Sequence, residues 1–146
     1  MTKRKVLVFF MVIIILLMFS ISAIINHSKA INNNDITCID GDTFKLGNKY
    51  IRLLYVDTPE AGDQLYNEAS KYTCDYLKNN QDLILVKKGK DKYNRILGVV
   101  YRSGDSLWLN ELLTLNCLAE PYWENSKDSI IKYYYACQKK QRIINL

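Results

Sequence analysis

Residues 36–60 read ITCIDGDTFKLGNKYIRLLYVDTPE. Short apolar-rich runs are separated by turn-forming pairs, the pattern of half-buried strands. Ile36–Ile39 makes a first strand, Asp40-Gly41 a hairpin turn, and Thr43–Leu46 the return strand. Gly47-Asn48 turns the chain again, and Tyr50–Val56 forms a third strand, apolar except for Arg52. Asp57–Gln64 is a loop, punctuated by Pro59 and Gly62.

Downstream the period changes. Ala69, Tyr72, Tyr76 and Leu77 fall at helical spacing after Glu68, and Asn79-Asn80 ends the run. Leu83–Val86 and Ile96–Tyr101 are two further strands, joined by the charged stretch Lys87–Arg95. After the Ser103-Gly104-Asp105 turn, Asn110 is placed to cap a short helix carrying Leu112, Leu113 and Leu115. Ser126 is placed to cap a last helix with Ile130, Ile131, Tyr134 and Cys137 on its inner side. Three strands, a helix, two strands and two helices define a mainly β, α+β chain. That order suits a five-stranded, partly open barrel of the OB-fold type with three helices. The eleven tyrosines fall mostly at core-like positions and read as packing residues.

Upstream, Ala30–Asp35 is polar and asparagine-rich, a linker, so folding is expected to begin near Ile36. Before it, Lys3, Arg4 and Lys5 precede the uncharged residues 6–25, the layout of an export signal. Twenty helical residues at about 1.5 Å each span roughly 30 Å, a bilayer core. Residues 1–30 therefore read as a membrane anchor or signal peptide with a short linker, and residues 31–146 as the folded domain. The run exceeds the apolar stretch of about 7–15 residues usual in a cleaved signal, which favours a retained single-helix anchor. Ser28-Lys29-Ala30 leaves cleavage and secretion open. Basic residues stay inside, so the domain is expected to be extracytoplasmic.

The formal net charge of +5 belongs largely to this leader. Four of the twenty basic residues, and no acid, lie in the first thirty positions; the rest of the chain has sixteen basic against fifteen acidic residues. That near-balance excludes a globally basic nucleic-acid binder and confines any attraction for phosphate to local clusters. Cys38, Cys74, Cys117 and Cys137 form no Cys-x-x-Cys pair, and His27 is the only histidine, so no zinc motif is present. Three full disulfide pairings are open; Cys117–Cys137 is one candidate bridge, and buried free thiols are an equal alternative.

Three blocks carry chemistry: Asp40-Gly41-Asp42-Thr43, Arg52–Glu60, and Asp91-Lys92-Tyr93-Asn94-Arg95. Clustered carboxylates repel unless a cation joins them, and oxygen donors suit Ca²⁺ or Mg²⁺. Asp40 and Asp42 do not continue into an EF-hand register; alone they also fit an ordinary turn. Arg52 interrupts an apolar strand, where it needs an anion, either a phosphate or a nearby aspartate. Together the blocks supply the parts of phosphodiester hydrolysis: countercharge for phosphate oxygens, and a carboxylate, Glu60, to activate water.

These blocks, in this order, resemble the staphylococcal nuclease (thermonuclease) family from about Cys38 to the final helix. The resemblance implies an OB barrel with three helices and Ca²⁺-dependent cleavage of DNA and RNA, single strands favoured, with little sequence preference and 3′-phosphate products. It implies Asp42, Asp57 and the Thr58 carbonyl as calcium ligands, supported by Asp40. Glu60 would orient or deprotonate the attacking water. Arg52 and Arg95 would hold the scissile phosphate, and Lys92 and Tyr93 the neighbouring terminal one. Asn94 departs from the family's usual glycine, although asparagine tolerates left-handed backbone. The loop between Glu60 and Glu68 is shorter than in the best-known member. Tyr122 or Trp123 can stack on a base, but Pro121 shifts the register and packing is an equal reading. A monomer is expected. The rival class is a non-catalytic surface module that binds nucleic acid on the same fold; a third reading is hydrolysis of a small phosphodiester.

Overall fold

The computed structural model describes residues 8–18, 28–122 and 126–144. Residues 8–18 form a helix, α1, whose apolar side chains are exposed. Among the described residues no helix is long and apolar enough to cross a membrane. The expected span of residues 6–25 extends past α1 on both sides, outside the described residues, as does Trp123.

Strand β1 (Ser28–Ala30) is followed by a 3-10 turn at Asn33–Asp35, then β2 (Ile36–Cys38), β3 (Thr43–Leu46), β4 (Lys49–Leu53) and β5 (Val56–Asp57). Helix α2 (Tyr66–Asn79) precedes β6 (Leu83–Lys90) and β7 (Ile96–Arg102). Helix α3 (Leu109–Leu115), β8 (Glu120–Pro121) and helix α4 (Asp128–Ile144) complete the order. The main sheet runs β1-β6-β7-β4-β3-β2; β5 and β8 form a separate two-stranded ribbon. All pairs are antiparallel except β4–β7. With its helices, this sheet is a curled half-barrel consistent with the OB-fold.

Two sequence expectations need correction here. The segment before Ile36 is not all linker: β1 adds a sixth strand on β6, and Ile31, which donates to the Leu83 carbonyl at 2.8 Å, is buried in the core. The expected third strand over Tyr50–Val56 is two pieces. β4 stops at Leu53, and Tyr55 takes a left-handed φ of 74° before β5 begins on a different partner. The break is held by hydrogen bonds: Leu54 N donates to Gly98 O at 2.8 Å, and Asn110 Nδ2 to Leu54 O at 2.7 Å.

That use of Asn110 also overturns its expected role as a cap. It lies inside α3, fully buried, while Glu111 receives the Trp108 N–H at 3.0 Å. Ser126 likewise turns its hydroxyl to the Tyr55 and Tyr122 carbonyls, so it ties α4's approach to the break in β4–β5. The core is mostly aliphatic, with one aromatic ring: Phe44, Ile51, Leu53, Leu77, Leu85, Leu113 and Ile130 are fully buried. No tyrosine is. At the rim the Tyr76 hydroxyl accepts the Arg102 N–H and the Tyr72 hydroxyl accepts Asn116 Nδ2, both at 3.2 Å.

Cysteine pairing, open in the sequence, is Cys38–Cys74 and Cys117–Cys137, with Cα separations of 5.6 and 5.5 Å. The first ties β2 to α2; the second ties the segment after α3 to α4. Loops of 36 and 20 residues each restrict the unfolded chain by an amount worth about 3–4 kcal/mol. Reduction is expected to lower the urea midpoint sharply. Cys38→Ser/Cys74→Ser and Cys117→Ser/Cys137→Ser should each reproduce part of that loss, measured by denaturant melts of oxidised protein.

Candidate active site

Asp42 is the buried centre of the site. It ends the connection between β2 and β3, where Asp40 Oδ1 accepts the N–H groups of Asp42 at 3.1 Å and Thr43 at 2.7 Å. This is a side-chain-braced turn over residues 39–42 rather than the two-residue hairpin expected from Asp40-Gly41. Gly41 is present because space is absent. A Cβ there would lie 2.7 Å from Thr58 Oγ1 and 2.9 Å from the Ala69 Cβ. Thr73 Oγ1 also donates to the Gly41 carbonyl at 2.6 Å. Helix α2 thus seats the turn directly against the strand that follows β4.

The Asp42 carboxylate collects donors from three segments. Oδ1 accepts from Thr43 Oγ1, and Oδ2 from the Thr58 N–H and hydroxyl, all at 3.0 Å. Arg52 Nη1 is also 3.0 Å from Oδ2. The same guanidinium donates to the Leu53 and Val56 carbonyls at 2.9 and 2.8 Å, and through Nη2 to Asp57 Oδ1 at 2.7 Å. The break after β4 is what folds these carbonyls back over the Arg52 side chain. Burial raises the Asp40 carboxyl above its usual range and the Asp42 charge adds to the rise; two backbone hydrogen bonds and Arg52 oppose it.

The second arginine comes from the β6–β7 connection. Asp91 Oδ1 accepts the Tyr93 and Arg95 N–H groups at 2.9 Å, and Oδ2 accepts Arg95 Nε at 2.7 Å. Burial alone would raise Asp91, but the hydrogen bonds from Arg95 and Tyr93 outweigh it and hold its pKa below 3.8. Asn94 has a φ of 65°, so it does take the left-handed turn, and its Oδ1 receives Lys90 Nζ at 2.6 Å. Of the Arg95 guanidinium nitrogens, only Nε is engaged by a hydrogen bond among the described residues. Tyr93 is exposed, with Lys92 Nζ 5.0 Å and the Arg95 guanidinium 5.5 Å from its ring centre.

A cleft of about 270 Å³ joins these parts, lined by Arg52, Tyr55, Asp91, Arg95, Leu97 and Tyr122 among others. Tyr122 is exposed, with its N–H fixed on the Tyr55 carbonyl at 2.8 Å. The structure therefore brings Arg52, Arg95 and Tyr122 together, Arg52 to Asp42 and Asp57, and Thr58 to Asp42. Glu60 is exposed; its N–H donates to Asp63 Oδ2 at 3.1 Å, and among the described residues no ion pair joins its carboxylate to either arginine. No group of three His, Cys, Asp or Glu side chains clusters for a metal among the described residues. A cation here would rest on two carboxylates and on carbonyl and water oxygens.

Residues 50–143 match the profile of the staphylococcal nuclease homologue family. The chain belongs to that family. It is also 30% identical to an uncharacterized endonuclease of Haemophilus influenzae over 135 residues, covering 89% of this chain and 71% of that protein. Both similarities support a nuclease, a hydrolase of phosphodiester bonds with nucleic acid as substrate. The span matched to the staphylococcal nuclease homologues contains Arg52, Asp57, Thr58, Glu60, Asp91 and Arg95; Asp40 and Asp42 lie before it.

The residues that sequence reasoning missed are positioning ones. Asp91 was visible as an acid four places before Arg95, a spacing that permits a pair. The roles of Gly41 and Thr73 depend on contacts across 17 and 32 residues (Thr58 and Gly41 respectively), which no local signal records.

Two outcomes follow from this geometry. Gly41→Ala should destabilise the fold by about 1–3 kcal/mol through overpacking and weaken the Thr58–Asp42 bonds, read as a lowered urea midpoint and a shifted Thr58 amide resonance. The Asp91 carboxyl should titrate below 3.8. Its stabilisation is present above that unfolded-state value and is lost as pH falls through the folded value. Carboxyl NMR would show this, and a midpoint at or above 3.8 would contradict the Asp91–Arg95 lock.

Proposed function

We propose that this chain is a Ca²⁺-dependent, extracytoplasmic nuclease that cleaves single-stranded DNA and RNA with little sequence preference and leaves 3′-phosphates. The observation that carries the reading is the shared cleft. Arg52 reaches it from β4 and Arg95 from the β6–β7 connection, and Arg52 is also in contact with Asp42 and Asp57. Two guanidinium forks converging on one hollow beside a carboxylate pair match a phosphodiester and its developing negative charge.

The donor set fits a hard cation. Asp42, Asp57 and the Thr58 carbonyl supply only oxygen, and the two carboxylates already converge on one positive group, Arg52. Calcium held there would supply countercharge for the phosphate and lower the pKa of a bound water. Arg52 would exchange a carboxylate partner for phosphate oxygens. Arg95, fixed through Nε, would present its outer nitrogens to the same group. Glu60 would take a proton from the attacking water. The new oxygen–phosphorus bond forms as the bond to O5′ breaks; O5′ leaves as a hydroxyl after gaining a proton from solvent, and the phosphate remains on O3′.

Lys92 and Tyr93, together on the exposed turn, would receive a neighbouring phosphate, and Tyr122 a base. Two disulfides support an oxidising compartment. The exposed apolar α1 supports attachment to a membrane through residues 6–25.

The full chain is expected to degrade single-stranded DNA with Ca²⁺ and to stop with excess chelator. Glu60→Gln and Arg95→Gln should each lose on the order of 10³-fold in rate. Robust cutting in chelator would remove the cation from the reading; near-full activity in both variants would remove the assigned roles.

A further inference from the structure

A second hollow, about 510 Å³, opens beside the catalytic cleft. Its walls come from the loop before α2, the segment after α3, and α4. Gln64, Gln138 and Gln141 line it, three of the four glutamines in the chain. Gln138 and Gln141 are three apart on α4 and so share a face; Gln64 comes from the loop. Among the described residues no hydrogen bond engages any of the three amides. The Cys117–Cys137 disulfide forms part of the same wall and fixes α4 against the 117–120 segment.

The chemistry of this wall differs from that of the arginine cleft. It holds one carboxylate, Glu120, and no lysine or arginine, so it does not suit a phosphate. Side-chain amides carry adjacent donors and acceptors, which complement the hydrogen-bonding edge of a nucleobase. Either orientation of an amide can be presented, so such a wall accepts different bases. The volume falls within the range of small-ligand pockets, about 300–1,000 Å³. A concave site of this kind takes a base only when its edge is free, that is, unpaired.

Its position connects it to the active site. Pro59, in its wall, directly follows Thr58, and Glu120 is the β8 residue opposite Asp57. The arginine cleft takes Val56 from the same ribbon, and Tyr55 and Tyr122 from the residues flanking it. Along the chain, Asp57 and Thr58 therefore lie between Val56 of one hollow and Pro59 of the other. We propose that the glutamine hollow is a subsite for an unpaired nucleobase of the substrate strand, beyond the scissile phosphate from Tyr122. The assignment rests on the nuclease reading and adds to it a place where single strands are distinguished from duplex.

The test is binding without cleavage. Anisotropy of a labelled short single-stranded DNA with the full chain in excess chelator should show about tenfold weaker affinity for Gln138→Ala/Gln141→Ala. Alanine keeps α4 intact at these positions. An abasic site moved along the strand should find one position that weakens binding to the parent and has no further effect on the variant. Equal affinity of parent and variant, or no binding of the strand by the parent, overturns the subsite. If the parent binds as expected but cleaves under no cation, the nuclease reading fails and the subsite stands. If it cleaves while the variant's affinity is unchanged, the reverse holds.

Discussion

The buried carboxylate of Asp42 is the constraint on which the rest of the site depends. A charge with its side chain only 8% exposed is tolerable only if its oxygens are fully engaged. Asp42 meets that condition with donors from Thr43, Thr58 and Arg52, and its own carbonyl receives the Leu53 N–H at 2.7 Å. One residue in a turn thereby fixes the start of β3, the end of β4 and the strand beyond it. The glycine before it allows this, because Thr58 and Ala69 occupy the volume that any side chain at position 41 would need.

The second constraint is the break at Leu54-Tyr55. A continuous strand over residues 50–56 would alternate its side chains across two faces, and its carbonyls would be spent on sheet partners. Ending β4 at Leu53 frees the Leu53 and Val56 carbonyls to hold Arg52, and sends β5 to pair with β8. The break costs a non-glycine residue in left-handed backbone, Tyr55. It is offset by donors from Asn110 in α3 and from Tyr122 and Ser126 in the connection between β8 and α4. The β5–β8 ribbon is therefore an assembly of the C-terminal half of the chain on the N-terminal half, and Cys117–Cys137 ties the segment before β8 to α4.

This division explains what was legible in the sequence. The β2–β3–β4 strands, α2 and the β6–β7 pair follow local periodicity and were readable, and the sequence blocks named two arginines, Arg52 and Arg95, that the fold brings to one cleft. The break was not readable, because Leu54, Tyr55 and Val56 continue an apolar run and only distant partners reveal the turn. Asn110 and Ser126 looked like caps because small polar residues favour that position locally; tertiary contacts with Leu54 and Tyr55 claimed both side chains instead. β1 was hidden because a three-residue edge strand carries too short a pattern to register. Cysteine pairing is a matter of folded distance, which spacing does not encode.

The two arginines end in different electrostatic states, and that difference shapes how the site can work. Arg52 is compensated twice over, by Asp42 and Asp57, so its attraction for phosphate is weak until those acids find another countercharge. Arg95 is paired once, through Nε to Asp91, in a segment that also carries Lys87, Lys88, Lys90 and Lys92. With the chain beyond residue 30 nearly neutral, long-range attraction for a polyanion has to come from local basic clusters, and this segment supplies one beside Arg95. A strand would thus meet Arg95 and the lysines first. On the proposed function Arg52 would add its charge once a cation occupied the carboxylates, so phosphate capture and cation binding would reinforce each other.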